Sequence, residues 1–449
     1  MAESTILKNK NFIIRVSFTN EVAPSVGKDF FKYETVEIER QGGLKEKYTL
    51  NESGGTKKEN GEKVSDKSLT EFALNEKRTF YKNLLQNKYK EIENIVVLTG
   101  AGSSVGIGVG NKGLTMAQLW DKLSAESSDC LKTLIAETNY HTIDTGGNVV
   151  AAGLVKDLEA LLSKAGMTNL VAPKPGLTAA IKTAREFIAV KCTLELPQES
   201  PHIQFLNRVL LRPQKNPRVK IFTLNYDTLF EQAAGKEKFT VIDGFTFSDP
   251  RVFNGKYFDY DLIETRHNRQ DKKDSTIAQL FYLFKMHGSL NWCKNGSEIE
   301  QRSGSIDVEK RVMIFPQDSK YEHSYEQPYF EMMARFQQAL RTENTLLITI
   351  GFSFLDKHIS SVILESIKQN PSLNLMTFTF PEVVDNSVTA KSYQKELHQI
   401  TDIQSRVTLI GETFEDFARE YPENKAHGRF DLLEELNSNL KKIIPNDGK

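Results

Sequence analysis

The sequence predicts an α/β fold in which a parallel sheet gathers a ligand site at the carboxyl ends of its strands. Three observations predict it. Residues 95–98 (Ile-Val-Val-Leu) form a continuous apolar run, as expected of a parallel strand covered on both faces. That run ends in Gly100, Ala101, Gly102, Ser103 and Ser104, with Gly106 just beyond, and glycines there permit a sharp turn and a close backbone approach. Three more apolar runs end in the same way: 219–224 before Asn225-Tyr226-Asp227, 280–286 before His287-Gly288-Ser289, and 345–350 before Gly351-Phe352-Ser353. In open α/β sheets, ligands sit beyond the carboxyl ends where strand order reverses, so four such strands predict one shared site. The predicted architecture is a Rossmann-like parallel sheet with a helical insertion, an N-terminal β-rich extension and a C-terminal helix.

The elements follow in chain order. Residues 1–68 form the extension, with strands at 11–19, 32–39 and 45–50. The second alternates Tyr33, Thr35, Glu37 and Glu39 against Glu34, Val36 and Ile38. Residues 52–68 are polar and rich in Gly and Lys, which reads as a loop or linker. Such a unit packs on its own chain or on a partner. A catalytic domain at 69–425 starts with a helix at 69–90. Its helical insertion, 113–215, shows Met116, Leu119, Trp120 and Leu123, then Leu154, Leu158, Leu161 and Leu162, at helical spacing. Residues 235–276 read as an irregular second insertion. The sheet then resumes with strands at 311–315, 345–350, 373–380 and 406–410, alternating with helices at 356–368 and 412–419. Within 426–449, Leu432, Leu433, Leu436 and Leu440 share one face of a docking helix.

Composition narrows the function. At 449 residues, 39% hydrophobic and 26% charged, the chain has the make-up of an ordinary globular protein. A net charge of −1 gives no global field toward nucleic acid. The patch of Arg208, Arg212, Lys215, Arg218 and Lys220 leaves nucleic acid open, although a solvated helix end accounts for it. Cys130, Cys192 and Cys293 are too scattered for a disulfide framework or a zinc site, so no structural zinc is expected. With no secretory leader and no membrane-spanning run, a cytoplasmic location is expected. The glycine loop lacks the Gly-Lys-Ser/Thr ending of a phosphate-binding P-loop. A dehydrogenase would place an acidic strand end about 20 residues after the glycines, where residues 116–123 are helical.

Together the four segments resemble the sirtuin family. Residues 100–104 look like its nucleotide loop, and Thr-Leu-Asn-Tyr-Asp at 223–227 like its Thr-Gln-Asn-x-Asp motif. Met286-His287-Gly288 looks like its histidine motif, and residues 351–354 like its ribose-binding segment. The wording of residues 222–231, 286–292 and 351–359 is similar to a divergent bacterial sirtuin-like branch found in anti-phage defence operons. The resemblance implies NAD as substrate, with Gly100, Ala101, Gly102, Ser103 and Ser104 on the pyrophosphate and Gly351 and Ser353 on the adenosine side. It implies that Asn225 orients a water or a ribose hydroxyl, that His287 is a general base, and that Asp227 fixes the loop or the nicotinamide end. The resemblance further implies a homo-oligomer, or a partner from the same operon such as a HerA-type ATPase, as gate.

Two departures bear on the activity. Sirtuin deacylases carry paired cysteines that hold zinc beside the peptide cleft, and their glycine loop continues Gly-Ile-Pro-Asp-Phe-Arg. Here residues 106–111 are Gly-Ile-Gly-Val-Gly-Asn. The parts that open NAD are kept and those that present an acyl-lysine are missing. The expected activity is therefore NAD hydrolysis to nicotinamide and ADP-ribose, and the resemblance alone implies NAD depletion during phage infection as its role. A deacylase, an ADP-ribosyltransferase and a non-catalytic module sensing NAD or ADP-ribose are the alternatives. Asn225-Tyr226-Asp227 also suits a helix cap for 228–234, as 353–356 does for the helix that follows, and His358 reads as a surface or partner residue rather than a second base.

Overall fold

A computed structural model describes residues 2–18, 33–88, 91–140, 142–143, 149–150, 156–213, 216–264, 275–277, 279–304, 306–313, 327–380 and 392–422. Strands β1 (Ala2–Asn9), β2 (Phe12–Phe18), β3 (Tyr33–Arg40), β4 (Leu44–Leu50), β5 (Thr56–Lys58) and β6 (Lys63–Ser65) form an antiparallel meander. Helix α1 (Leu69–Lys88) leads to β7 (Asn94–Thr99). Helices α2 (Met116–Glu126) and α3 (Ser128–Thr138), the two-residue strands β8 (Thr142–Ile143) and β9 (Val149–Val150), and helices α4 (Leu158–Val171), α5 (Pro175–Cys192) and α6 (Pro201–Val209) come next. They precede β10 (Val219–Thr223) and α7 (Leu229–Glu237). Strands β11 (Thr240–Ile242), β12 (Arg251–Val252), β13 (Ile263–Glu264), β14 (Ser275–Thr276), β15 (Leu280–Lys285), β16 (Gly288–Asn295), β17 (Glu298–Gln301) and β18 (Arg311–Met313) come after them. Helix α8 (Tyr329–Arg341), β19 (Thr345–Ile350), α9 (Lys357–Gln369), β20 (Asn374–Thr379), α10 (Ser392–Ile403), β21 (Val407–Gly411) and α11 (Phe414–Glu420) follow.

One sheet of 13 strands runs in the order β11-β15-β10-β7-β19-β20-β21-β1-β2-β3-β4-β5-β6. From β11 to β21 all neighbours are parallel. The chain builds β10 and β15 on one side of β7 and β19, β20 and β21 on the other, so strand order reverses between β7 and β19. Alternate residues of each central strand enter different cores. Ile95 and Val97 join a cluster with the N-terminal strands, α1 and α6, while Val96 and Leu98 join one with α8 and α9. Burial on both faces is what the apolar runs predicted. The helical insertion has a core of its own, centred on Leu123, Leu134, Leu158 and Leu161.

The structure corrects the sequence reading at four places. The N-terminal strands are not a separate sheet: β1, which the sequence reading missed, pairs antiparallel with β21, Leu7 facing Ile410. Residues 52–68 are not only a linker, because β5 and β6 extend the meander there. Residues 311–313 belong to a second, four-stranded sheet, β12-β17-β16-β18, rather than to the main one. Within the second insertion, β11 joins the edge of the main sheet. The C-terminal helix expected at 431–443 lies outside the described residues. Among the described residues, no helix is long and apolar enough to cross a membrane.

Candidate active site at four adjacent strand ends

The four motif strands are consecutive in the sheet: β15, β10, β7, β19. Their register aligns Lys285 with Thr223, Thr223 with Thr99, and Thr99 with Ile350, so all four loops leave the sheet at one level. Backbone bonds continue the alignment past the strands: Met286 N–H donates to Thr223 O (2.9 Å), Leu224 N–H to Thr99 O (2.9 Å) and Gly100 N–H to Ile350 O (3.0 Å).

Asn225 is held by the glycine loop. Its amide nitrogen lies 3.0 Å from Gly100 O, 3.0 Å from Ser103 Oγ and 2.8 Å from Ser104 Oγ. Ser104 Oγ donates in turn to Asp227 Oδ2 (2.7 Å), and Asp227 Oδ1 accepts from Leu229 N–H (3.1 Å) at the start of α7. Asp227 is therefore a brace between the glycine loop and the turn that leads into α7, whose N-cap is Thr228. The nitrogen end of Asn225 is fixed, while its carbonyl oxygen has no partner among the described residues.

The glycines have a second reason to be glycines. A Cβ on Gly102 would stand 2.6 Å from Gly351 Cα, and one on Gly351, whose φ is +60°, would stand 2.6 Å from Ser103 N. The loops of β7 and β19 thus touch backbone to backbone at the point of strand-order reversal. Gly100, Gly102, Ser103, Ser104 and Val105 all donate their N–H to protein carbonyls. Ala101 and Gly102 are exposed, and the Ala101 N–H is unengaged among the described residues. Ser353 is exposed between the buried Phe352 and Phe354, and its carbonyl accepts from Gln394 Nε2 (2.9 Å).

His287 is buried, with Nε2 3.5 Å from Asp356 Oδ2. Asp356 caps α9, accepting from His358 N–H (3.0 Å) and Ile359 N–H (3.4 Å), so the helix fixes the carboxylate that faces the imidazole. The sequence showed Asp356 as a cap; its second role needed the fold. Just before His287, the buried Lys285 points its ammonium at the carbonyls of Asp227 and Tyr226 and at Glu231 Oε1 (3.1 Å). Burial pushes the Glu231 carboxyl above its ordinary range, with Lys285 pulling the other way. Sequence reasoning passed over Lys285 because it sits inside an apolar strand, although a lysine in such a run is itself a signal.

His287 also lines a cavity of about 850 Å3 between the second sheet and helices α8 and α9. His358, part-exposed, lines it together with His287 and Asp356. Among the described residues, no group of three or more His, Cys, Asp and Glu could hold a metal ion. The thiols of Cys130, Cys192 and Cys293 are free.

These features define a Rossmann-like α/β protein whose loops converge where the strand order reverses. Residues 219–400 match the family model described as SIR2-like domain. The matched segment holds the Asn225, His287 and Gly351 motifs and begins after the glycine loop. A SIR2-like domain implies NAD-related binding and is compatible with an NAD-using enzyme. No curated protein matches the chain.

Proposed function

We propose that this protein hydrolyses NAD to nicotinamide and ADP-ribose. The observation that carries the proposal is the convergence of Asn225, His287 and the two glycine loops on four adjacent strand ends. The bond to be broken already has a cationic leaving group, so its electron pair goes to the pyridinium nitrogen without acid catalysis. The protein's task is to position the ribose and to direct water at the carbon that becomes electron-poor. The Asn225 carbonyl oxygen, on an amide held rigid through its nitrogen, accepts a hydrogen bond from that water. His287 takes the water's proton, and Asp356 stabilises the imidazolium that results. Asp227, through Ser104, holds Asn225 in place.

By the resemblance given above, the setting is anti-phage defence by NAD depletion, gated by self-assembly or by a partner such as a HerA-type ATPase. Purified protein incubated with NAD and no acylated peptide should release nicotinamide. His287→Ala and Asn225→Ala should each lower the rate by at least about 100-fold while circular dichroism stays unchanged. Release that requires a peptide would indicate a deacylase or a transferase. NAD bound but never cleaved, under any assembly state, would indicate a sensor.

A further inference from the structure

We infer that the cavity lined by His287 is a binding site for a small organic anion, distinct in its lining from the strand-end loops but sharing His287 with them. Neither the glycine loop, Asn225 nor the Gly351 loop lines it. Its volume of about 850 Å3 lies within the range of small-molecule sites.

The charge on its walls is one-sided. Arg185, Lys294, Lys310 and Arg311 line it, against Glu309 and Asp356. Both carboxylates are engaged elsewhere: Glu309 pairs with Lys182 (3.4 Å), and Asp356 caps α9 and faces His287. Among the described residues, no carboxylate lies within ion-pair distance of Lys294, Lys310 or Arg311. Arg311 is half-buried, and burial disfavours its charged form. One of its nitrogens donates to Ile306 O (3.2 Å), while its buried Nε finds no acceptor. A half-buried guanidinium without a carboxylate partner gains from an anion placed in the cavity, which supplies the missing counter-charge. Met286, Met333, Ile359 and Val362 add apolar lining. Cationic side chains together with thioether and aliphatic groups in one cavity fit a ligand with a phosphate or carboxylate head and an apolar body. Such a ligand would lie against His287, where its occupancy controls access to that imidazole.

The test is calorimetric titration of the full chain with phenyl phosphate, benzoate and the neutral benzyl alcohol. None of the readouts involves NAD turnover, so failure of the NADase proposal leaves this one standing. At least one of the two anions should bind at least 10-fold more tightly than benzyl alcohol, and the stronger of them names the head group. Arg311→Met should weaken that binding at least 10-fold. So should Lys294→Met combined with Lys310→Met, which alters only exposed side chains and leaves folding intact. Equal binding of all three probes, no binding of either anion, or wild-type affinity in the double lysine variant would overturn the site.

Discussion

Replacing Lys285 with Met keeps the length and apolar stem of the side chain and removes only its charge. The ammonium is buried, with 2% of the side chain exposed, and it serves three acceptors: Glu231 Oε1 and the carbonyls of Tyr226 and Asp227. Removing one member of a buried ion pair typically costs about 3–5 kcal/mol, because the other charge is left without compensation. Glu231 keeps 20% of its side chain exposed, which favours the lower end, and the Asp227 carbonyl that loses its donor adds about 1 kcal/mol. Lys285→Met should therefore destabilise the fold by about 4 kcal/mol in urea denaturation followed by circular dichroism. Adding Glu231→Met removes the stranded carboxylate, so the double variant should recover about 2–3 kcal/mol of that loss. A single variant within 1 kcal/mol of wild type, or a double variant no more stable than the single, would refute the view that this lysine clamps the Asn225–Asp227 loop to β15.

Three other outcomes follow from the packing. Gly351→Ala should destabilise by about 3 kcal/mol in the same assay, since the methyl meets the Gly102–Ser103 backbone at a positive φ. Wild-type stability there would mean that the two loops separate easily. His202 is fully buried against Phe230 and Phe414, and burial lowers its pKa to about 4. The unfolded chain takes up that proton near pH 6.5 and the folded chain does not until about pH 4. Stability is therefore intact above pH 6.5 and falls by about 3 kcal/mol on acidification to pH 4, at about 1.4 kcal/mol per pH unit. His202→Phe should flatten this part of the profile, and an unchanged slope would clear His202 of it. Deleting residues 1–66 should yield aggregated protein by light scattering, because it strips β21 of its neighbour and uncovers Phe72 and Phe80 of α1. A monodisperse product with the wild-type melting temperature would show that the extension is dispensable.

The central sheet and its loops were legible because each strand carries its own message: an apolar run buried on both faces, then glycine or a polar side chain. Asn225 and His287 stood out for the same reason. What the sequence hid was pairing at long range. Nothing in Ala2–Asn9 announces a partner some 400 residues away, so β1 went unread and the extension looked detached. Residues 311–313 are apolar enough for the main sheet, and only the turn at Gly296 and the run of β16 and β17 direct them to the smaller one. The same holds within the site. Asp356 and His287 are 69 positions apart, and the cationic wall draws on residues from 185 to 311, a grouping no local pattern encodes.

Among the described residues, the wide sheet ends in short strands on both sides. Its outermost strands, β11 and β6, are three residues each, and β6 begins with Lys63 and lies beside Lys57 and Lys58. So short a rim, charged along one side, offers a second chain few backbone groups to bind and repels a like-charged edge. Copies of this molecule that meet rim to rim therefore gain little. Among the described residues, the edges of this sheet favour a single copy over edge-to-edge pairing.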